Sequence, residues 1–153
     1  MSEPVRWSEF EAAEPELAGA GHKLLHQFGL GLAFLATVRK DGAPRLHPFC
    51  PIVTGGGLYG FIVQSPKQGD LRRDGRVAIH AFPPVEVDDE FMLAGRAVEV
   101  TEPAVVAAVR EAFTAPVQEP EREALFEFLI DRALLTTYGP RPSLPLSWTK
   151  WQA

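Results

Sequence analysis

Two glycine-marked reversals, Asp41-Gly42 and Gly55-Gly56-Gly57, lie between short apolar runs and constrain the middle of this chain most. Asp-Gly between two runs of strand length is a strong hairpin signal, because a tight two-residue turn takes positive φ at both central positions. Leu32 to Val38 then reads as one strand, Arg45 to Val53 as its return, and Leu58 to Val63 as a third. Turns this short leave no room for a crossover, so the three strands are antiparallel.

The flanking segments follow by the same rules. Residues 8–28 read as helical, with Ser8 placed to cap a first turn, Pro15 to begin a second, and Leu17, Leu24, Leu25 and Phe28 forming an apolar stripe. Ser65-Pro66 marks another helix start by cap and first-turn chemistry together, and Gly75 is placed to end it after Asp74. Arg76 to Phe82 and Phe91 to Val100 read as strands, the latter with Gly95 as a candidate bulge. Pro103 to Phe113 reads as a helix with Thr101 as its cap. A helical turn is expected near 121–124, then a strand through Tyr138, a proline-rich loop to Pro145, and a last strand from Ser147 to Gln152. The expected architecture is mainly β, a small antiparallel barrel of six to seven strands with peripheral helices.

Length and charge bound the function. A chain of 153 residues suits one domain, expected over 1–153 with a barrel core over 32–152. A net charge of −5 disfavours a non-specific nucleic-acid binder. One cysteine, Cys50, excludes an intrachain disulfide and fits a reducing, cytoplasmic setting. No apolar run approaches the roughly 18 residues of a membrane span, and the N-terminus carries no apolar signal core.

Chemistry concentrates in two places. A helix start exposes unpaired N–H groups and the positive end of the dipole, and it attracts anions. Lys67 in that first turn works against the dipole. It is either solvated or faces an anion bound at the same place, with Arg72 and Arg73 nearby. In a strand, residues two apart share a face, so Arg45, His47 and Phe49 line up opposite Leu46, Pro48 and Cys50. That face either meets solvent or offers a cation and an imidazole to a ligand. His22 and His26 have a spacing that can ligate zinc, but a solvated helix face is the expected role and no metal site is assigned. His80 reads as a hydrogen-bonded strand residue and Cys50 as packing. Trp148 and Trp151, three apart in the last strand, point to opposite faces, one inward and the other toward a second subunit.

In combination these segments resemble the pyridoxamine 5′-phosphate oxidase-like family. The resemblance is carried by Phe34-Leu35-Ala36-Thr37-Val38-Arg39-Lys40-Asp41-Gly42-Ala43-Pro44-Arg45-Leu46-His47-Pro48, by Gly57 to Phe61, by Ser65-Pro66-Lys67, and by Asp70 to Ala78. Asp89-Glu90-Phe91 and Gly95-Arg96-Ala97 extend it, so that it covers roughly residues 30–100. It implies a Greek-key split β-barrel that forms a homodimer with FMN at the subunit interface. By position it implies that Arg45, Ser65 and Lys67, with Arg72, hold the FMN phosphate. His47, Pro48, Val63 and Gln64 would lie along the flavin ring, and Trp148 joins these cofactor-binding candidates. The chain departs from pyridoxamine phosphate oxidases at its end, Trp148-Thr149-Lys150-Trp151-Gln152-Ala153, which lacks their Arg-Leu-x-Pro. Its Arg-x-His, Arg45-Leu46-His47, lies in the early hairpin. The resemblance implies an FMN-dependent oxidoreductase with a small-molecule electron donor or acceptor, and the two departures argue against vitamin B6 oxidation. A deazaflavin-dependent reductase and a non-catalytic flavin- or haem-binding protein are the alternatives.

Overall fold

A computed structural model describes residues 3–115 and 119–153. In chain order the elements are α1 (Trp7–Ala13), α2 (Pro15–Leu25), β1 (Ala33–Val38), β2 (Pro44–Phe49), β3 (Ile52–Thr54) and β4 (Gly57–Val63). They continue with α3 (Pro66–Arg73), β5 (Arg76–Ala81), β6 (Glu90–Val100), α4 (Pro103–Ala112), a 3-10 turn (Pro120–Arg122), β7 (Glu123–Tyr138) and β8 (Pro145–Gln152). This is a mainly β, antiparallel split barrel with eight strands in one sheet. The count exceeds seven because the expected return strand 45–53 turns a corner at Cys50-Pro51 and becomes β2 and β3.

Several local readings in the helices need correction. The helical segment 8–28 is two helices, broken at Glu14 (φ −137°) and restarted by Pro15, which cannot continue a preceding helix. Ser8 lies inside α1 and donates its backbone N–H to Gly56 O at 3.0 Å, while the Glu9 carboxylate accepts from Arg6 N at 2.9 Å. The helix over 103–112 takes Glu102, not Thr101, as its N-cap residue.

The two turns divide. Gly55 and Gly56 both have positive φ, 55° and 78°, and join paired Thr54 and Gly57 in the expected two-residue turn. At Asp41-Gly42 only Gly42 is left-handed (φ 85°). Gly42 N–H reaches Arg39 O and Arg39 N–H reaches Ala43 O, both at 2.9 Å. That is the wider loop in which an ordinary turn is followed by a left-handed glycine. Asp41 needs no strained backbone, and its carboxylate accepts from Ala43 N at 3.1 Å.

The sheet runs β2-β1-β5-β6-β7-β4-β3, with β8 on β7 as well. The 16-residue β7 organises it. One edge pairs with β6 along most of its length; the other is shared by β4 at residues 123–127 and β8 at 132–138. The gap between them is filled by the N-terminal segment, where Val5 and Ile130 exchange backbone bonds of 2.9 and 2.7 Å. Arg6 secures this seam by donating to Glu127 Oε1 (2.7 Å) and to the Tyr59 hydroxyl (2.9 Å).

Gly95 marks the expected bulge, where the β6–β7 register shifts. A Cβ there would lie 1.9 Å from Leu129 O, so only glycine permits the two backbones to approach. Inside, Leu35, Phe49, Ile79, Phe91, Leu93, Phe126, Phe128 and Ile130 form one core with Trp7, Phe10, Leu17 and Leu25 of the two helices. Trp151 tucks against Phe10 with ring centroids 5.0 Å apart, whereas Trp148 is exposed. The two tryptophans take opposite faces of β8, as the spacing requires.

Candidate functional site

The site forms where β2 meets α3. Alternation along β2 turns Arg45, His47 and Phe49 to one side, and Phe49 is buried in the core. Helix α3 begins at Pro66, is seated by buried Leu71, and is tied to β4 by Gln68 Nε2, which donates to Ile62 O at 2.8 Å. Ser65 precedes the helix with extended backbone, but its hydroxyl donates to Val63 O at 2.8 Å instead of capping the first turn. The anchored first turn brings Lys67 toward β2.

Asp70 links the two elements. Its side chain is 3% exposed. It accepts from Arg45 Nε at 2.7 Å, Arg73 at 2.9 Å and the Thr37 hydroxyl at 3.0 Å. Burial would raise its pKa, but hydrogen bonds from Arg73, Arg45 and Thr37 outweigh that and hold it below the ordinary carboxylate range. Sequence patterns do not expose this cluster, since Thr37 and Asp70 are far apart in the chain. The visible signal is only that Asp70 lies one helical turn after Lys67, on the same face.

Around this carboxylate, basic groups collect. The pKa of His47 is lowered, by burial first and then by the positive charges of Lys67 and Arg45. Its Nε2 is buried and has no hydrogen-bond partner among the described residues. Lys67 is partly buried, which lowers its pKa, and none of the ion pairs among the described residues includes it. An open pocket of about 590 Å³ continues from Arg45, Asp70 and Arg73 past Pro66 to Arg39, Lys40 and Asp41 on the β1–β2 turn, where Asp41 pairs with Arg39 at 3.3 Å. An unpartnered buried imidazole nitrogen beside two cations is costly unless a polar group completes it. An anionic oxygen would do so.

The structure thus brings together Arg45, His47, Lys67 and, at the helix start, Ser65. Val63 and Gln64 follow at the exposed end of β4, and Pro48 is exposed on β2. Arg72 is drawn elsewhere: its guanidinium forks onto Glu99 at 2.8 and 2.7 Å and donates to Gln68 Oε1 at 3.0 Å. Trp148 stands on β8, at the far end of the path β2-β1-β5-β6-β7-β8. His22 and His26 stack with centroids 4.4 Å apart, and His26 Nδ1 donates to the His22 carbonyl. His80 Nδ1 donates to Ala81 O at 2.7 Å, and Cys50 is half-buried. No helix among the described residues is long and apolar enough to cross a membrane.

A family model described as pyridoxamine 5′-phosphate oxidase matches residues 24–135. No curated protein matches the chain. Among solved structures, a haem-binding protein from Mycobacterium smegmatis is similar at TM-score 0.65 and 19% identity, over 87% of this chain and 57% of that one. The chain therefore spans little more than half of that protein. An F420 reductase is similar at TM-score 0.54 and 18% identity, over 67% of this chain and 87% of that one. An FMN-binding protein related to pyridoxamine 5′-phosphate oxidase, from Nostoc punctiforme, is similar at TM-score 0.62 and 13% identity, over 94% and 96%. At such identities the likeness is one of fold, and function rests on the site. With the family match running from α2 into β7, the chain belongs to the pyridoxamine 5′-phosphate oxidase-like family.

Proposed function

We propose that this protein binds FMN and works as an FMN-dependent oxidoreductase on a small-molecule electron donor or acceptor. The observation that carries this reading is the buried, unpartnered Nε2 of His47 beside Arg45 and Lys67. A phosphate monoester supplies what these groups lack. Lys67 gives it a charge, Arg45 a guanidinium already held at Nε by Asp70, and His47 a ring nitrogen. Ser65 joins by releasing Val63 O. Pro48, Val63 and Gln64 border the ring, and Arg72 contributes through its hold on Gln68 and Glu99 and not by direct contact. When bound, the flavin supplies the hydride or electron transfer, and the protein positions it.

The same reading takes the protein as a homodimer with its cofactors between subunits. The outward sides of β1, β5, β6 and β7 carry two cross-strand rows, Phe34-His80-Met92-Leu134 and Ala36-Ala78-Ala94-Arg132. An outer sheet face facing water is ordinarily polar, and one with six apolar positions out of eight, interrupted by His80 and Arg132, suits an interface. A second copy on this face would bring Trp148, 60% exposed, to its partner's site. Ala78→Arg is expected to convert the dimer into monomers in light scattering and to weaken FMN binding with it. A dimer of unchanged stability would exclude this face.

The deciding experiment is the absorbance spectrum of the purified protein and of the ligand it releases, followed by titration with FMN, coenzyme F420 and haem. Flavin bands and saturable FMN binding are expected, with oxidation of reduced nicotinamide above that of free FMN. A colourless protein that takes up none of the three would end the reading. One observation favours a deazaflavin as the second reading: the basic pocket extends beyond Arg45 to Arg39 and Lys40, where an anionic tail would be matched. Tighter binding of F420 than of FMN, lost on Arg39→Ala/Lys40→Ala, would decide for it.

A further inference from the structure

We infer that Asp70 is the positioning residue of the anion site: it sets the direction of Arg45 and the spacing between β2 and the first turn of α3. This rests on the phosphate-binding reading above and goes beyond it, since Asp70 itself repels any anion.

The geometry carries the inference. Asp70 Oδ2 takes the Nε of Arg45 and the hydroxyl of Thr37, and Oδ1 takes Arg73. A guanidinium fixed through Nε has its two terminal nitrogens left to face outward, in the fork that suits a phosphate. No hydrogen bond among the described residues occupies those terminal nitrogens of Arg45. Arg73 is held a second time, by donating to Val38 O at 2.7 Å. Asp70 lies on the same helical face as Lys67, one turn on, so the bond that orients Arg45 also fixes how far Lys67 stands from β2. Without this carboxylate Arg45, Arg73 and Lys67 would repel one another, and the site would be dispersed before any ligand arrived. With it, the four groups keep two positive charges in excess, which matches a phosphate dianion.

Asp70→Asn separates positioning from simple electrostatics because the two predict opposite signs. Removing a negative charge beside an anion site would by itself tighten anion binding. Loss of positioning weakens it. The Arg45 and Arg73 side chains keep 27% and 39% exposure, so water can solvate them in the variant and the fold can tolerate the change. The expected result is FMN binding weakened about tenfold or more, the size of one lost charge-assisted contact. Riboflavin, which lacks the phosphate, should change less than twofold.

FMN affinity that is unchanged or tighter overturns the inference, as does an equal loss for riboflavin. If Asp70→Asn does not fold, Thr37→Val keeps the charge and loosens the carboxylate. It should weaken FMN roughly threefold, and no change would be adverse. If the wild-type protein binds no FMN, the cofactor reading fails by itself. The inference is then decided by inorganic phosphate, which should raise the melting temperature of the wild type more than that of Asp70→Asn. A phosphate shift equal in both, or absent in the wild type, overturns it.

Discussion

Arg45→Ala/Lys67→Ala is expected to lose FMN binding by at least about 100-fold, each contact alone being worth roughly ten- to hundredfold. The two residues come from different elements, β2 and α3, and meet at one anion, so their effects should not add. Removing Arg45 also leaves Asp70 with one guanidinium fewer in a place that is 2% exposed, and part of the loss will be a looser α3. The control is riboflavin, whose affinity should stay within about threefold if the cations act on the phosphate alone. Fluorescence titration of both flavins measures this, with a melting curve to check the fold. Retention of FMN within about fivefold would take the phosphate out of this corner of the molecule.

Phe91→Ala is expected to cost about 3–5 kcal/mol of stability, the usual range for emptying a buried phenylalanine site. Phe91 is fully buried, and its ring reaches α2 at Gly21 so closely that a Cβ there would lie 2.2 Å from Phe91 Cζ. The strand supplies the bulk and the helix the vacancy. The variant has no neighbouring side chain at Gly21 to fill the space, so the helix must either sag inward or leave a cavity. Urea unfolding should show a lower midpoint with an unchanged slope, and the melting temperature should fall by roughly 10 °C. A loss below about 1 kcal/mol would mean that α2 does not lean on this ring.

Short-range chemistry made much of this architecture legible. Gly55-Gly56, Pro66 and the bulge at Gly95 sit where their backbone needs place them. One misreading arose where a side chain had a second local partner to choose. Ser65 has a good capping side chain, yet its hydroxyl takes Val63 O. At the site, Arg45, His47 and Lys67 were nameable from strand alternation and a helix start. Asp70 was not, because its role depends on Thr37 and Arg45 arriving from other strands. Arg72 looked equivalent to its neighbours in the sequence, and only the position of Glu99 on β6 separates it from them.

The bridge between Val5 and Ile130 has a consequence for the order of events during synthesis. Residue 5 is made long before residue 130, and α1 and α2 follow it directly. Their apolar faces, with Trp7, Phe10 and Leu25, are meant for a sheet whose longest strand does not yet exist. The N-terminal segment must wait, unpaired, until β7 has been made, and closing so long a loop is slow. The segment around Val5, made well before its partner strand, is thus among the last to find its place, and it is the seam on which the split barrel closes.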